Sequence, residues 1–128
     1  MQNTVVVHCP GGTLLKGITN NFFPNKDKFH LADKDTGEVR EIPLTGLKAV
    51  FFVKNFEGDR SYRERHDVER TGLGKKIQVE FSDGETLVGY SQGFAPHRPG
   101  FFVFPADPDS NNDRIFVFTA ATRAVNFL

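Results

Sequence analysis

Residues 5–31, VVVHCPGGTLLKGITNNFFPNKDKFHL, align without a gap with residues 77–103, IQVEFSDGETLVGYSQGFAPHRPGFFV. The segments share two glycines, a proline and several apolar positions. Matched residues lie 72 positions apart and include Gly12 with Gly84, Gly17 with Gly89, Pro24 with Pro96 and Phe29 with Phe101. Further on, LKAVFFV at 47–53 matches TRAVNFL at 122–128, with an offset of 75 positions. A fixed period of this kind predicts an internal duplication, with three residues gained in a loop of the second copy.

Each copy predicts five short strands in the same order. The first strand alternates apolar and polar residues, and a glycine turn then leads into a second strand. Gly17 and Gly89 interrupt the second strands, where glycine permits the sharp bend of a barrel corner. The 14 phenylalanines, with valine and isoleucine, also favour strands over helices. We therefore expect an all-β fold of two tandem five-stranded, strongly bent small barrels, each closing on itself and both packed as a pseudo-dimer.

The domain division follows from the repeat, with barrels at residues 1–53 and 76–128 and a charged linker at 54–75. The linker is the one segment that predicts a short helix, because Ser61 and Glu64 have capping-box spacing and Gly72 suits a helix end. Oppositely charged residues spaced i,i+4 favour a solvated helical tether. The alternative is an arginine cluster that binds a phosphate or nucleotide, formed by Arg60, Arg63 and Arg65.

Composition and charge narrow the function classes. The 16 basic and 16 acidic residues cancel, so no overall field attracts nucleic acid, although residues 54–76 carry seven basic and five acidic groups. Cys9 is the single cysteine, which excludes an internal disulfide and favours a reducing compartment. The apolar run near the N-terminus is too short for a signal peptide or a membrane span. These features predict a soluble, cytoplasmic protein with no membrane contact.

No pattern predicts catalysis, a metal or a cofactor. The alternating Asp107, Asp109, Asn111 and Asp113 resemble the start of a calcium loop, but Asn112 and Phe118 occupy the positions of the required glycine and glutamate. We expect an ordinary polar loop there. His8 and Cys9 are adjacent on a strand and would point to opposite faces, so they cannot ligate one ion. The sequence therefore predicts no enzyme and no metal site.

The strand, Asp-Gly turn and G-x-x-L-x-G run of Gly84, Leu87 and Gly89 resemble the first signature of the Sm-like family of SH3-type small barrels. The ending IFVFTAATRAV, residues 115–125, is similar to the last two strands of the bacterial Sm-like RNA chaperone. This resemblance implies the fold, but Pro24-Asn25-Lys26 and Pro96-His97-Arg98 replace that family's RNA-facing Asp and Asn. Its uridine-binding residues are therefore not carried over. The stretch GFFVFPADPDSNNDRIFVF also resembles an uncharacterised bacterial domain, which implies no activity.

Two equivalent loops, FFPNKDKF and FAPHRPGF, are the best candidate binding surfaces. Each combines aromatic with basic residues, which suits stacked bases or an acidic peptide. With the linker arginines, the candidate ligand-binding residues are Phe23, Asn25, Lys26, Lys28, His97 and Arg98. We expect a non-catalytic binding or regulatory module that contacts a protein partner through loops or strand edges, with oligomers through edge strands an open alternative. The second hypothesis is an RNA or single-stranded nucleic-acid binding protein.

Overall fold

The computed structural model describes residues 2–58 and 61–128 and contains ten β-strands. Two single turns of 3-10 helix lie at Pro10–Gly12 and Thr119–Ala121. The strands are β1 (Asn3–His8), β2 (Leu14–Thr19), β3 (Lys28–Asp33), β4 (Val39–Pro43), β5 (Ala49–Val53), β6 (Lys75–Phe81), β7 (Thr86–Ser91), β8 (Gly100–Pro105), β9 (Asn112–Phe118) and β10 (Thr122–Phe127). The prediction of an all-β fold with five short strands in each half is confirmed.

All ten strands belong to one antiparallel sheet, in the order β10-β6-β7-β8-β9-β5-β1-β2-β3-β4. The expected closure of five strands on themselves does not occur, because β4 does not pair with β5 of its own half in the described residues. Instead β5 pairs with β9, so the fifth strand of the first half lies beside the fourth strand of the second. The halves are thus joined edge to edge by backbone hydrogen bonds, and the sheet is open at β4 and β10.

The pairing registers of the two halves correspond at the offsets found in the sequence. Val5 pairs with Gly17 on β1 and β2, and Ile77 pairs with Gly89 on β6 and β7. Likewise Phe29 lies opposite Ile42, as Phe101 lies opposite Val117. The same residues therefore occupy the same places in the two five-stranded units.

Two apolar cores share the central strands of the sheet. Every residue of β5 is buried, and its side chains alternate between the cores: Val50 and Phe52 enter the first, whereas Phe51 and Val53 enter the second. β9 divides in the same way, as do the valines of β1. Strands buried on both faces read as continuous apolar runs, which explains AVFFV and IFVF. Neither core can be formed by one half alone.

Gly17 and Gly89 are required by a close approach between backbones. A methyl group on Gly17 would collide with the carbonyl oxygen of Ala32 on β3, and one on Gly89 with that of Phe104 on β8. At these points β2 bends onto β3 and β7 onto β8, with only two residue pairs in register. Glycine is needed here because any side chain would push the strands apart.

The prediction of a helix in the linker is wrong for the residues that the structure describes. Residues 54–58 and 61–74 form turns, bends and irregular coil, and β6 begins at Lys75. Tertiary contacts outweigh the local capping signal: the Arg70 N–H donates to the Tyr90 hydroxyl at 3.2 Å, and the Arg70 guanidinium donates to the Pro105 carbonyl at 2.9 Å. The segment is therefore fastened along β7 and β8. No helix in the described ranges is long and apolar enough to cross a membrane.

Candidate binding cavities between the two halves

The two proline loops adopt the same turn at equivalent positions. The Lys26 N–H donates to the Phe23 carbonyl at 3.0 Å, and the Arg98 N–H donates to the Ala95 carbonyl at 3.0 Å. Proline occupies the second position of each turn, where its fixed φ is favourable. Lys26 and Arg98 consequently hold matching places in the two halves.

Each loop is anchored by the first aromatic residue of its motif. The Phe22 ring packs edge-on against Phe29, with 5.1 Å between ring centroids, and also contacts Phe52 and Phe116. Phe94 packs in the same way against Phe101 at 4.9 Å. These rings belong to the cores, so the polar tips of the loops are held above the sheet by apolar contacts.

The tips meet at a cavity of about 670 Å³, which we call the junction cavity. Lys26 and Asp27 come from the first half, and His97 and Arg98 from the second. The links that precede β5 and β10 form the remaining wall, with Phe116 below. The fold thus brings together basic residues that are about 70 positions apart in the chain.

A second cavity of about 710 Å³, the sheet-face cavity, lies between Pro24–Asn25 and the faces of β8 and β9. Phe102 and Phe104 line it from β8, and Arg114 from β9. Gln92 and Arg98 reach it from the β7–β8 loop. Both cavities have volumes in the range typical of small-molecule sites.

The remaining candidate residues that the structure describes do not line these cavities. Phe23 is exposed, and Lys28 forms an ion pair with Glu41 at 3.0 Å on the outer strands. Arg63 is exposed on the segment between the halves. Arg60 lies outside the described residues. The two loops therefore supply the basic residues that the fold brings together, and the described linker arginines do not.

Arg65 is already paired with carboxylates. Its guanidinium donates to Asp107 at 3.0 Å and to Asp109 at 2.8 Å, and its backbone N–H also donates to Asp107 at 2.9 Å. Tyr62 donates a further hydrogen bond to the Asp107 carboxylate. These donors, led by the Arg65 guanidinium, hold the pKa of the Asp107 side chain well below its usual range. This cluster fixes the linker to the β8–β9 loop.

The Asp- and Asn-rich loop uses its side chains to bond its own backbone. Asp107 accepts from the Asp109 N–H at 2.9 Å, and the Ser110 hydroxyl oxygen accepts from the Asn112 N–H at 3.0 Å. These are the turn contacts expected of such residues. Within residues 2–58 and 61–128, no three His, Cys, Asp or Glu side chains are grouped so that they could hold a metal ion.

His8 and Cys9 line a third cavity of about 530 Å³, close to Lys48. Burial lowers the pKa of His8, whose ring lies 4.1 Å from that of Phe51. Burial raises the pKa of the Cys9 thiol, which disfavours the nucleophilic thiolate. The Cys9 thiol at this cavity is therefore weakly reactive.

Sequence reasoning missed Arg114. It follows the polar loop and occupies the β9 face that also carries Phe116 and Phe118, opposite Phe52 on β5. Its guanidinium carbon lies 4.3 Å from the centroid of the Phe52 ring. The available signal was a charged residue that alternates with phenylalanines on one face of a strand. The sequence did not show that β5 pairs with β9, and this pairing places Arg114 against Phe52.

A protein-family model matches residues 1–128, and it is described as a family of unknown function (DUF6982). None of the curated proteins matches the chain, and neither does any solved structure.

Proposed function

We propose, from the premise that the chain belongs to the DUF6982 family of unknown function, that it is a non-catalytic protein-interaction module. It associates by strand addition at the two open edges of its sheet, and the partner that fits these edges is a second copy of the chain. The Sm-like resemblance, the internal duplication and the cytoplasmic location stay predictions from the sequence.

The observation that carries this proposal is the pairing inside the molecule. β5 of the first half pairs with β9 of the second in an antiparallel register that is continuous from Ala49 to Phe52 and shifts between Phe52 and Val53. β10 of the second half is equivalent to β5, and β4 of the first half is equivalent to β9. Each of these two equivalent strands ends the sheet. A second copy can therefore repeat between molecules the junction that already exists within one.

The side chains at the edges support this partner. In the internal junction Phe52 lies opposite Arg114. The residues that take these places at the edges, 75 positions away, are Phe127 on β10 and Val39 on β4. They are 59% and 63% exposed. Pairing in the internal register places them against each other and removes both from water.

The sequence of the β4 edge strand also limits the association. Pro43 ends β4 and has no N–H, whereas Phe118, its equivalent on β9, donates to the Lys48 carbonyl at 3.2 Å. Proline at a strand edge discourages uncontrolled pairing. We therefore expect reversible association through Val39 to Ile42 rather than irreversible aggregation.

Sedimentation velocity over a range of protein concentrations tests the proposal. Phe127→Lys is expected to weaken self-association by more than about tenfold, because a charge replaces the apolar contact. Phe23→Lys is the matched control, since Phe23 is 53% exposed but lies in a loop away from both edges. A wild-type chain that stays monomeric throughout, or an equal effect of the two lysine substitutions, would overturn the proposal.

Disulfide trapping tests the register directly. In a Cys9→Ser background, Val39→Cys and Phe127→Cys together are expected to give a ladder of covalently linked copies on mild oxidation, because directly opposed strand residues bring their Cβ atoms within disulfide range. Moving the second cysteine to Phe23 should abolish the ladder. Equal cross-linking in both double variants would contradict the proposed register.

A second candidate function, binding of RNA or another single-stranded nucleic acid, is favoured by the junction cavity. Lys26, His97 and Arg98 line it together, and phosphate contacts of this kind make affinity fall steeply with salt. Fluorescence anisotropy with short labelled strands at two salt concentrations measures this. Salt-sensitive binding that the Lys26→Ala, His97→Ala, Arg98→Ala triple variant loses would support this function, and no binding at low salt would exclude it.

A further inference from the structure

Arg114 lines the sheet-face cavity and packs against two phenylalanine rings. Its guanidinium carbon lies 4.3 Å from the Phe52 ring centroid and 5.4 Å from that of Phe102. The Nε atom is buried, and within residues 2–58 and 61–128 it has no hydrogen-bond partner. Buried polar groups in proteins are normally satisfied, and the part of the Arg114 guanidinium that lines the cavity can donate to an acceptor supplied from outside the chain.

The charged residues that line the sheet-face cavity are all basic. Arg98 and Arg114 both line it, and the residues described there include no aspartate or glutamate. Arginine binds phosphate or carboxylate through two parallel N–H donors. The cavity is therefore complementary to a small anionic group.

The other lining residues favour a planar ring with a hydrogen-bonding edge. Phe102 and Phe104 are half-buried and offer aromatic faces, and Asn25 offers an exposed amide that both donates and accepts. The Gln92 amide nitrogen already donates to the Gly72 carbonyl at 2.8 Å, and its oxygen can accept from a ligand. Aromatic faces bind nucleobases by stacking. The volume of about 710 Å³ falls within the range of small-molecule sites.

We propose that the sheet-face cavity binds the phosphate and base of a nucleotide, with Arg98 and Arg114 on the phosphate and Phe102 and Phe104 beside the base. This site is separate from the edge strands used in self-association, so either proposal can fail alone. It shares Arg98 with the junction cavity, but Arg114 lines only the sheet-face cavity and Lys26 only the junction cavity.

Isothermal titration of the full chain with the four ribonucleoside 5′-monophosphates tests this site, with adenosine and inorganic phosphate as partial ligands. We expect saturable binding of at least one monophosphate, and weaker binding of both partial ligands. Loss of a charge-assisted contact weakens binding by about tenfold or more, which is the effect expected for Arg98→Ala and for Arg114→Met. Methionine retains the apolar packing between the phenylalanine rings, so the second variant keeps the fold.

The control variants are Lys26→Ala in the other cavity and Arg63→Ala on the exposed segment, and both should bind the monophosphates like the wild type. A 5′-phosphorylated RNA tetranucleotide distinguishes the source of the ligand. If it binds more tightly than the monophosphates, the ligand is the 5′ end of an RNA strand; if it binds more weakly, the ligand is a free nucleotide. The proposal is overturned if no monophosphate binds, if inorganic phosphate binds as tightly, or if Lys26→Ala loses binding while Arg114→Met retains it.

Discussion

The Tyr62 hydroxyl donates a hydrogen bond to the Asp107 carboxylate, across 45 positions of the chain. Asp107 is only 1% exposed, and its other donors come from Arg65 and from the backbone of its own loop. This contact explains why the segment between β5 and β6 follows the sheet instead of forming a helix.

Tyr62→Phe is expected to lower the melting temperature by several degrees, because a buried carboxylate loses one of its donors while the phenyl ring keeps its packing. Thermal unfolding followed by circular dichroism measures the change. Arg63→Ala, next in the chain and exposed, is the control and should melt like the wild type. Equal melting of all three proteins would show that this contact does not hold the segment in place.

Acid should destabilise the protein through Asp107. Its pKa is lowered in the folded state, so its contribution is fully present above the unfolded value of about 3.9 and is lost as the pH falls through the lower folded value. The free energy of unfolding of wild type should therefore fall more steeply between about pH 5 and about pH 2 than that of Asp107→Asn.

Urea unfolding across this pH series provides the measurement for Asp107. Asp113→Asn, on the exposed start of β9, serves as the control for removing one carboxylate. Parallel pH dependence of wild type and Asp107→Asn would contradict the assignment.

Gly89→Ala should destabilise the fold by about 1–3 kcal/mol, because the added methyl group meets the Phe104 carbonyl and forces β7 away from β8. Gly93→Ala is a matched control, since the nearest atom to its methyl group would be the Arg98 guanidinium at 3.9 Å. Its stability should stay within about 0.5 kcal/mol of wild type. Chemical denaturation compares the two, and an equal cost would mean that the close approach at Gly89 is relieved without penalty.

The shared cores predict one cooperative unfolding transition for both halves. Phe81→Ala removes a fully buried ring from the second half and should cost about 3–5 kcal/mol. Because β5 and β9 contribute to both cores, amide exchange should accelerate in β1 as well as in β6. Faster exchange confined to β6–β10 would show that the halves unfold separately.

Local features predicted most of the secondary structure. Gly17 and Gly89 marked the bends, and the aligned proline loops marked two equivalent positions, at which the Lys26 and Arg98 N–H groups make matching backbone hydrogen bonds. The linker prediction failed because the capping signal at Ser61 and Glu64 is local. Hydrogen bonds to Asp107 and Pro105, which lie in a distant part of the chain, hold the same segment in a non-helical conformation.

The amino-acid sequence by itself determined the strands, their order within each half and the loops that carry basic and aromatic residues. Strand periodicity, turn residues and glycine positions are local properties, so they can be read without knowing what packs against them. Only the tertiary structure decided that each half stays open and that β5 pairs with β9. That choice depends on apolar surfaces buried together from both halves, and it alone places Lys26 and Arg98 in the lining of one cavity and Arg114 between Phe52 and Phe102.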